Sequence, residues 1–367
     1  MSAVGIALAL IYLTALPMAG QAPKTAAKSA LPRMPDGHPD LQGTYDLATM
    51  TPLERLPGLP SFLTKEKAEA LERAEAERRA KDDQPSRADR PAPPVGGDKS
   101  VPGSFFEALE KAGGGAVGGY NRYWLSQGSA YTVVDGQIRT SIVIDPPDGH
   151  VPPYNAAARK RLAAARATPA PDAGESQVRT AEPASAFDNP EQRPLGERCL
   201  LGFASTSGPP TLPTYFYNNL HQIVQTRDTV LILTEMVHDV RTIRIGGEHL
   251  PKTVRKWLGD SVGHWEGDTL VVDTTNFTDK TRYRGSSPDL HIVERFTRVD
   301  SDTLRYRFTV EDPSTWTAPW TAEYSWPITT EGLYEYACHE GNYALGNILR
   351  GARLKEAEDS AKKREKQ

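Results

Sequence analysis

Between residues 303 and 311 apolar and polar side chains change places at every step, and that alternation limits the fold more than any other feature of the chain. Leu304, Tyr306, Phe308 and Val310 fall on one side of an extended strand, and Arg305, Arg307 and Thr309 on the other. Such a strand requires a sheet with one face on a core and the other in water. Residues 220–225, 229–237, 240–245, 270–275, 290–299, 321–326 and 333–338 also read as strands. Arg227-Asp228, Gly246-Gly247, Gly267-Asp268 and 299–302 read as turns. Earlier in the chain, 41–47, 130–134 and 137–144 are expected strands, the last two joined by the hairpin signal Asp135-Gly136.

Glycine and proline, 30 of each, favour many turns over a helical bundle. Turn signals roughly every 8–12 residues suit a barrel or a sandwich. The expected fold class is therefore mainly β: an antiparallel, calycin-like β-barrel, with a β-sandwich as the alternative. A barrel hides its edges and can enclose a small ligand. A few peripheral helices and long flexible insertions complete the expectation. Helices are expected at 64–83, with Thr64 as N-cap, at 104–112, 155–165, 251–258 and 344–353.

Residues 4–19 are apolar and small, and 1–22 reads as a secretory signal peptide. Export to the periplasm or medium follows, with no membrane attachment after cleavage. Residues 23–119 form an N-terminal extension with a linker at 84–102. Residues 120–354 form one β-rich domain with a low-complexity insertion at 167–195, and 355–367 a solvated tail. The two cysteines, Cys199 and Cys338, make an even pair, which in an exported chain favours a disulfide over two buried thiols. Closing a loop of about 140 residues is worth on the order of 5 kcal/mol in the chain-entropy model. A net charge of −4 without a basic stripe argues against a nucleic-acid partner.

The stretches PDGHPDLQG, NNLHQIVQTRDTVLILTEMVHDVRTI, WLGDSVGHWEGDTLVVDTTNFTDK, LHIVERFTRVDSDTLRYRFTVEDPSTWTAPWT and YEYACHEGNYALGNILRGAR resemble a widespread family of uncharacterised exported bacterial proteins. The resemblance covers most of 32–354. It implies export and a single β-rich unit, and it carries over no catalytic residue.

Ionisable groups gather at four expected strand ends. Glu235 and His238, with Arg241 beyond them, form the first; imidazole is the side chain suited to proton transfer near neutral pH. Asp273 and Asn276 close the strand that follows Trp265. His291 and Arg295 share one face of their strand, with Glu294 on the other and expected to meet Arg305 or Arg307. His339 and Glu340 follow Cys338 directly, with Asn342 and Tyr343 at the start of a helix. His339, Glu340, His238, His291, Glu235 and Asp273 are the catalytic candidates. Arg241, Asn276, Arg295, Asn342, Tyr343 and Trp265 are candidates to bind substrate. There is no H-E-x-x-H, and the glycines at 113–119 lack the strand-loop-helix context of a phosphate loop, so no metal and no cofactor is assigned. The expected function is an exported, cofactor-independent acid/base lyase, isomerase or hydrolase acting on a small organic or glycosidic molecule. The alternative is a periplasmic carrier with its ligand inside the barrel.

Overall fold

The computed structural model describes residues 31–82, 128–167, 187–202, 208–213, 217–280 and 283–365. The expected signal peptide, the linker at 84–102, the helix at 104–112 and most of the 167–195 insertion lie outside them. In chain order the strands are β1 (Gly43–Asp46), β2 (Phe62–Leu63), β3 (Val133–Val134), β4 (Gln137–Arg139), β5 (Val143–Asp145), β6 (Leu220–Gln225), β7 (Thr229–Thr234), β8 (Val240–Ile245), β9 (Asp260–Glu266), β10 (Thr269–Thr275), β11 (His291–Arg298), β12 (Thr303–Glu311) and β13 (Trp320–Thr329). The helices are α1 (Lys65–Asp82), α2 (Ala156–Ala167) and α3 (Tyr343–Arg364).

Strands β1 and β6 to β13 close into a nine-stranded barrel, because β13 pairs with β12 and also returns to β1 through Thr44–Thr329 and Tyr45–Ile328. Neighbours run antiparallel except β8 and β9, which are parallel through Ile243–Ser261, Arg244–Val262 and Ile245–Gly263. Two parallel neighbours need a connection that travels back along the sheet. Residues 246–259 make that crossover, and they carry His249. β5 extends the sheet beside β13, and the small sheet β2–β4–β3 lies outside the barrel wall. It is held there by Arg139 on Glu323 at 2.7 Å and by the Ser325 amide on Thr132 Oγ1 at 2.9 Å. Helix α1 starts as its sequence implies, with the Lys67 amide on the Thr64 hydroxyl at 3.3 Å. The Asp135-Gly136 turn joins β3 to β4 with both residues left-handed (φ 51° and 75°), the conformation that matches strand twist.

Alternation fills the interior. Ile292 and Phe296 from β11, Leu304, Tyr306, Phe308 and Val310 from β12, and Trp320, Ala322, Tyr324 and Trp326 from β13 are all in the buried core. Trp326 lies 4.6 Å from Tyr306 and 5.7 Å from Phe296, centroid to centroid, so aromatic rings occupy the barrel axis. Polar groups interrupt them, His221 among them at 5.9 Å from Trp326. Glu294 takes both guanidinium ends of Arg241, at 2.9 and 2.6 Å, and the Tyr306 hydroxyl at 2.7 Å. Burial, with the negative Glu294 beside it, pushes the Tyr306 phenol well above its usual range. The segment 208–213 covers this end: the Thr211 amide donates to Tyr306 Oη and the Tyr324 hydroxyl to the Thr211 carbonyl, both at 2.9 Å. At the opposite end Arg298 donates to the carbonyls of Asp40, Asp300 and Ser301 and to the Tyr45 hydroxyl.

Several expected elements differ. Residues 251–258 form turns, not a helix, because their backbone is already committed: Lys256 donates to the Asn276 carbonyl and accepts from the Thr278 amide, both at 3.0 Å. Residues 333–338 are not a strand, since a closed barrel leaves no edge to join. The expected strand 137–144 breaks at Thr140 and serves two sheets, β4 in one and β5 in the other. The closing helix continues through the expected tail to Arg364, supported by pairs such as Lys355–Asp359 at 2.8 Å. Glu294 does not meet Arg305 or Arg307: it points into the barrel to Arg241. Cys199 and Cys338 are bonded, with Cα atoms 5.7 Å apart. Among the described residues no helix is long and apolar enough to cross a membrane.

Two outcomes follow. Glu294→Ala leaves the Arg241 guanidinium buried and unpaired, and urea denaturation should show a loss of about 3–5 kcal/mol; replacing both partners by apolar residues recovers most of it. Burial pushes the Tyr45 hydroxyl up to about 12. The folded chain therefore keeps that proton while the unfolded chain loses it near pH 10, so stability falls as pH rises from 10 to 12. Thermal melts across that range should show the fall, and Tyr45→Phe should flatten part of it.

Candidate functional site

The crossover between β8 and β9 folds over the outer face of the barrel, and two strands and this loop meet at one carboxylate. Asp273 stands on the outer face of β10, and His291 on that of β11. His249 reaches them from the crossover. The His249 Nε2 lies 2.8 Å from Asp273 Oδ1, and the His291 Nε2 lies 2.7 Å from Asp273 Oδ2. Two imidazoles thus share the two oxygens of one carboxylate. Their other nitrogens are engaged as well: His249 Nδ1 lies 3.1 Å from Asp260 Oδ2, and His291 Nδ1 lies 3.1 Å from Glu311 Oε2.

An ionised carboxylate accepts and does not donate, so the two contacts of His291 are each met by a ring N–H. His291 is accordingly pushed up to about 9, by its hydrogen bond to Asp273 first, against the cost of burial, with Glu311 adding to the effect. Burial alone would raise Asp273, but His291 and His249 hold it below the usual carboxylate range. Asp260 is fully buried, which opposes its charge. The hydrogen bonds of Arg244, the Leu250 amide, Lys256 and His249 outweigh that cost and keep it well below the usual range. Arg244 contributes 2.9 and 3.1 Å contacts, Lys256 one of 3.0 Å and the Leu250 amide one of 2.9 Å. Asp260 is the anchor of the crossover. The two imidazoles and Asp273 are about one-third exposed, so solvent and small molecules reach them.

Of the residues singled out from sequence, Asp273 and His291 come together. Asn276 supports them from behind: left-handed at φ 58°, it donates to the Leu250 carbonyl at 2.9 Å and so holds the crossover. The others lie elsewhere. Arg295 pairs with Glu266 at 2.5 Å further along the outer face. Trp265 stacks on His38 at 4.5 Å near the Arg298 end of the barrel. Arg241 is inside the barrel. Glu235 is buried and accepts the Tyr334 amide at 2.8 Å and the Leu220 amide at 3.4 Å, its carboxyl raised by burial; it clamps the 330–338 segment to the barrel. His238 is exposed in a left-handed turn (φ 48°). His339 and Glu340 are exposed ahead of α3, Asn342 contacts Cys199 Sγ at 3.5 Å, and Tyr343 is exposed.

Sequence reasoning missed His249, Asp260 and Glu311. Glu311 was accessible, since it is opposite His291 once β11 and β12 are paired in register. His249 had no periodic signal, because it sits in a crossover.

No family model, no curated protein and no solved structure matches the chain.

Asp260→Asn removes the negative charge on which Arg244, Lys256 and His249 converge. It should cost about 1–3 kcal/mol, and the Leu250 amide should lose hydrogen-exchange protection before the barrel strands do.

Proposed function

We propose that this is an exported enzyme that performs acid/base chemistry on a small organic molecule at the His249–Asp273–His291 cluster, as a lyase, isomerase or hydrolase. The observation that carries the reading is the pair of imidazoles on the two oxygens of one partly exposed carboxylate. A cluster of ionisable groups with perturbed proton affinities, open to solvent and fixed by several partners, is the expected signature of a functional centre. His291, which retains its proton at neutral pH, stabilises negative charge developing on the substrate. His249 shares the same carboxylate and, with its Nε2 released from Asp273, is the ring that exchanges a proton with the substrate. Asp273 restrains both rings and balances their charge, while Asp260 and Glu311 fix their orientation from behind.

The packed interior is the reason the chemistry is assigned to the outer face and not to an enclosed ligand. Export is part of the same reading, supported by the apolar N-terminal run, the disulfide and the resemblance to an exported family.

The test is untargeted metabolite profiling with the wild-type chain, His249→Gln, His291→Gln and His339→Ala. Wild type and His339→Ala should consume the same molecule. Each of the two cluster variants should be slower by roughly 100-fold or more, the usual scale for losing a positioned acid or base. Equal turnover by wild type and both cluster variants, with all proteins folded, overturns the reading. Loss of turnover in His339→Ala alone moves the site to the corner after Cys338.

A further inference from the structure

We infer that the substrate of the His249–Asp273–His291 centre carries an oxyanionic group, a carboxylate or a phosphate, and that Arg307 on β12 is the residue that binds it. The inference rests on the reading of that cluster as the functional centre and adds the class of molecule it acts on.

Strand register puts Arg307 beside the cluster. On the outer face Asp273 lies opposite Val293, and Val293 opposite Thr309. On one side of this row stand His291 and Glu311, opposite each other. On its other side come Val271, Arg295 and Arg307 in the same strand order, with Glu323 beyond. Rows on one face of a sheet are about 7 Å apart and neighbouring strands about 4.8 Å, so the Cα atoms of Arg307 and Asp273 are about 12 Å apart. Val293 and Thr309, both short, make the floor between them, and Thr309 Oγ1 is bonded to Thr321 Oγ1 at 2.9 Å. A small molecule laid over these two side chains touches the imidazoles at one end and the Arg307 guanidinium at the other.

The charges around it leave Arg307 unmatched. The other arginines on the outer faces of β11 and β12 are paired, Arg295 with Glu266 at 2.5 Å and Arg305 with Asp135. The neighbouring carboxylates are taken as well: Glu311 by His291, Glu266 by Arg295, and Glu323, directly opposite Arg307, by Arg139 at 2.7 Å. Arg307 is exposed and, among the described residues, makes no hydrogen bond or ion pair. On its other side it faces Arg295, and like charges directly opposite each other work against strand pairing. The fold therefore gains nothing from a cation at 307, whereas a ligand does. The planar fork of arginine meets a carboxylate or a phosphate through two parallel N–H bonds. The Arg295 guanidinium adds to the same positive field. An anionic group held there keeps the far end of the molecule against the imidazoles, which is the positioning that acid/base chemistry needs.

The experiment measures binding of succinate, of inorganic phosphate and of uncharged succinamide to the full chain by isothermal titration, for wild type, Arg307→Gln and Arg307→Lys. Wild type should bind succinate or phosphate, more weakly as salt is added, and should not bind succinamide; which of the two anions binds more tightly tells a carboxylate site from a phosphate site. Arg307→Gln should weaken binding about 10-fold or more. Arg307→Lys should fall between, because it keeps the charge and loses the fork. Thermal melts separate this from a structural role: Arg307→Gln should keep or raise the stability of the wild type, since it removes no bond of the fold. Wild type that binds neither anion at about 10 mM overturns the inference, as does Arg307→Gln that binds as wild type does or that is markedly less stable. The molecule consumed in metabolite profiling should carry a carboxylate or a phosphate, and Arg307→Gln should raise its KM with kcat nearly unchanged, whereas His249→Gln should lower kcat. The two readings fail separately. An uncharged substrate removes the anion site and leaves the acid/base centre; anion binding that depends on Arg307, without any turnover by the wild type, does the reverse.

Discussion

The arrangement of the candidate site depends on one buried carboxylate, Asp260. Burying an ionised group costs several kcal/mol unless other groups compensate, and here the compensation comes from four directions: Arg244 on β8, His249, Leu250 and Lys256 on the crossover. Those partners are what the parallel pairing of β8 and β9 must bring together. The crossover could pass over the sheet in many ways; the demand of Asp260 for donors selects the one in which His249 reaches Asp273. A fold-stabilising interaction and a site-building one are therefore the same set of bonds.

The barrel interior contrasts with this outer face. Inside, Arg241, Glu294 and Tyr306 satisfy one another among aromatic rings, and the Thr211 segment covers them. Charges there are paired and covered, so they fix register and hold the covering segment. Outside, His249, Asp273, His291 and Glu311 are hydrogen-bonded yet remain in reach of solvent. The same residue types do different work in the two places because water reaches one and not the other.

Much of the wall was legible in advance. Strict alternation in 303–311 became β12 with Leu304, Tyr306, Phe308 and Val310 in the core. The Asp135-Gly136 hairpin formed because two left-handed residues suit that turn. Alternation also placed Glu294 on the side of Ile292 and Phe296, and Arg241 on the side of Ile243, which is the apolar side in both strands; expecting Glu294 to meet Arg305 or Arg307, and Arg241 to bind substrate, overlooked the pattern already in hand. The expected helix at 251–258 failed for a different reason. Local propensity there is overridden by main-chain bonds between Lys256 and the 276–278 segment, which no local signal reveals.

The sequence by itself determined the β class, the inward and outward faces of the strand at 303–311, the Asp135-Gly136 hairpin turn and two members of the cluster, Asp273 and His291. All of these follow from side-chain period and from backbone conformations that only certain residues adopt, and both are local properties. Only the tertiary structure decided that β13 returns to β1, that β8 and β9 run parallel, and that His249, outside the periodic segments, joins the cluster. Those depend on which strands meet and on where a buried carboxylate finds its donors. Such long-range choices are made by the summed energy of the closed barrel, and no short window of sequence contains it.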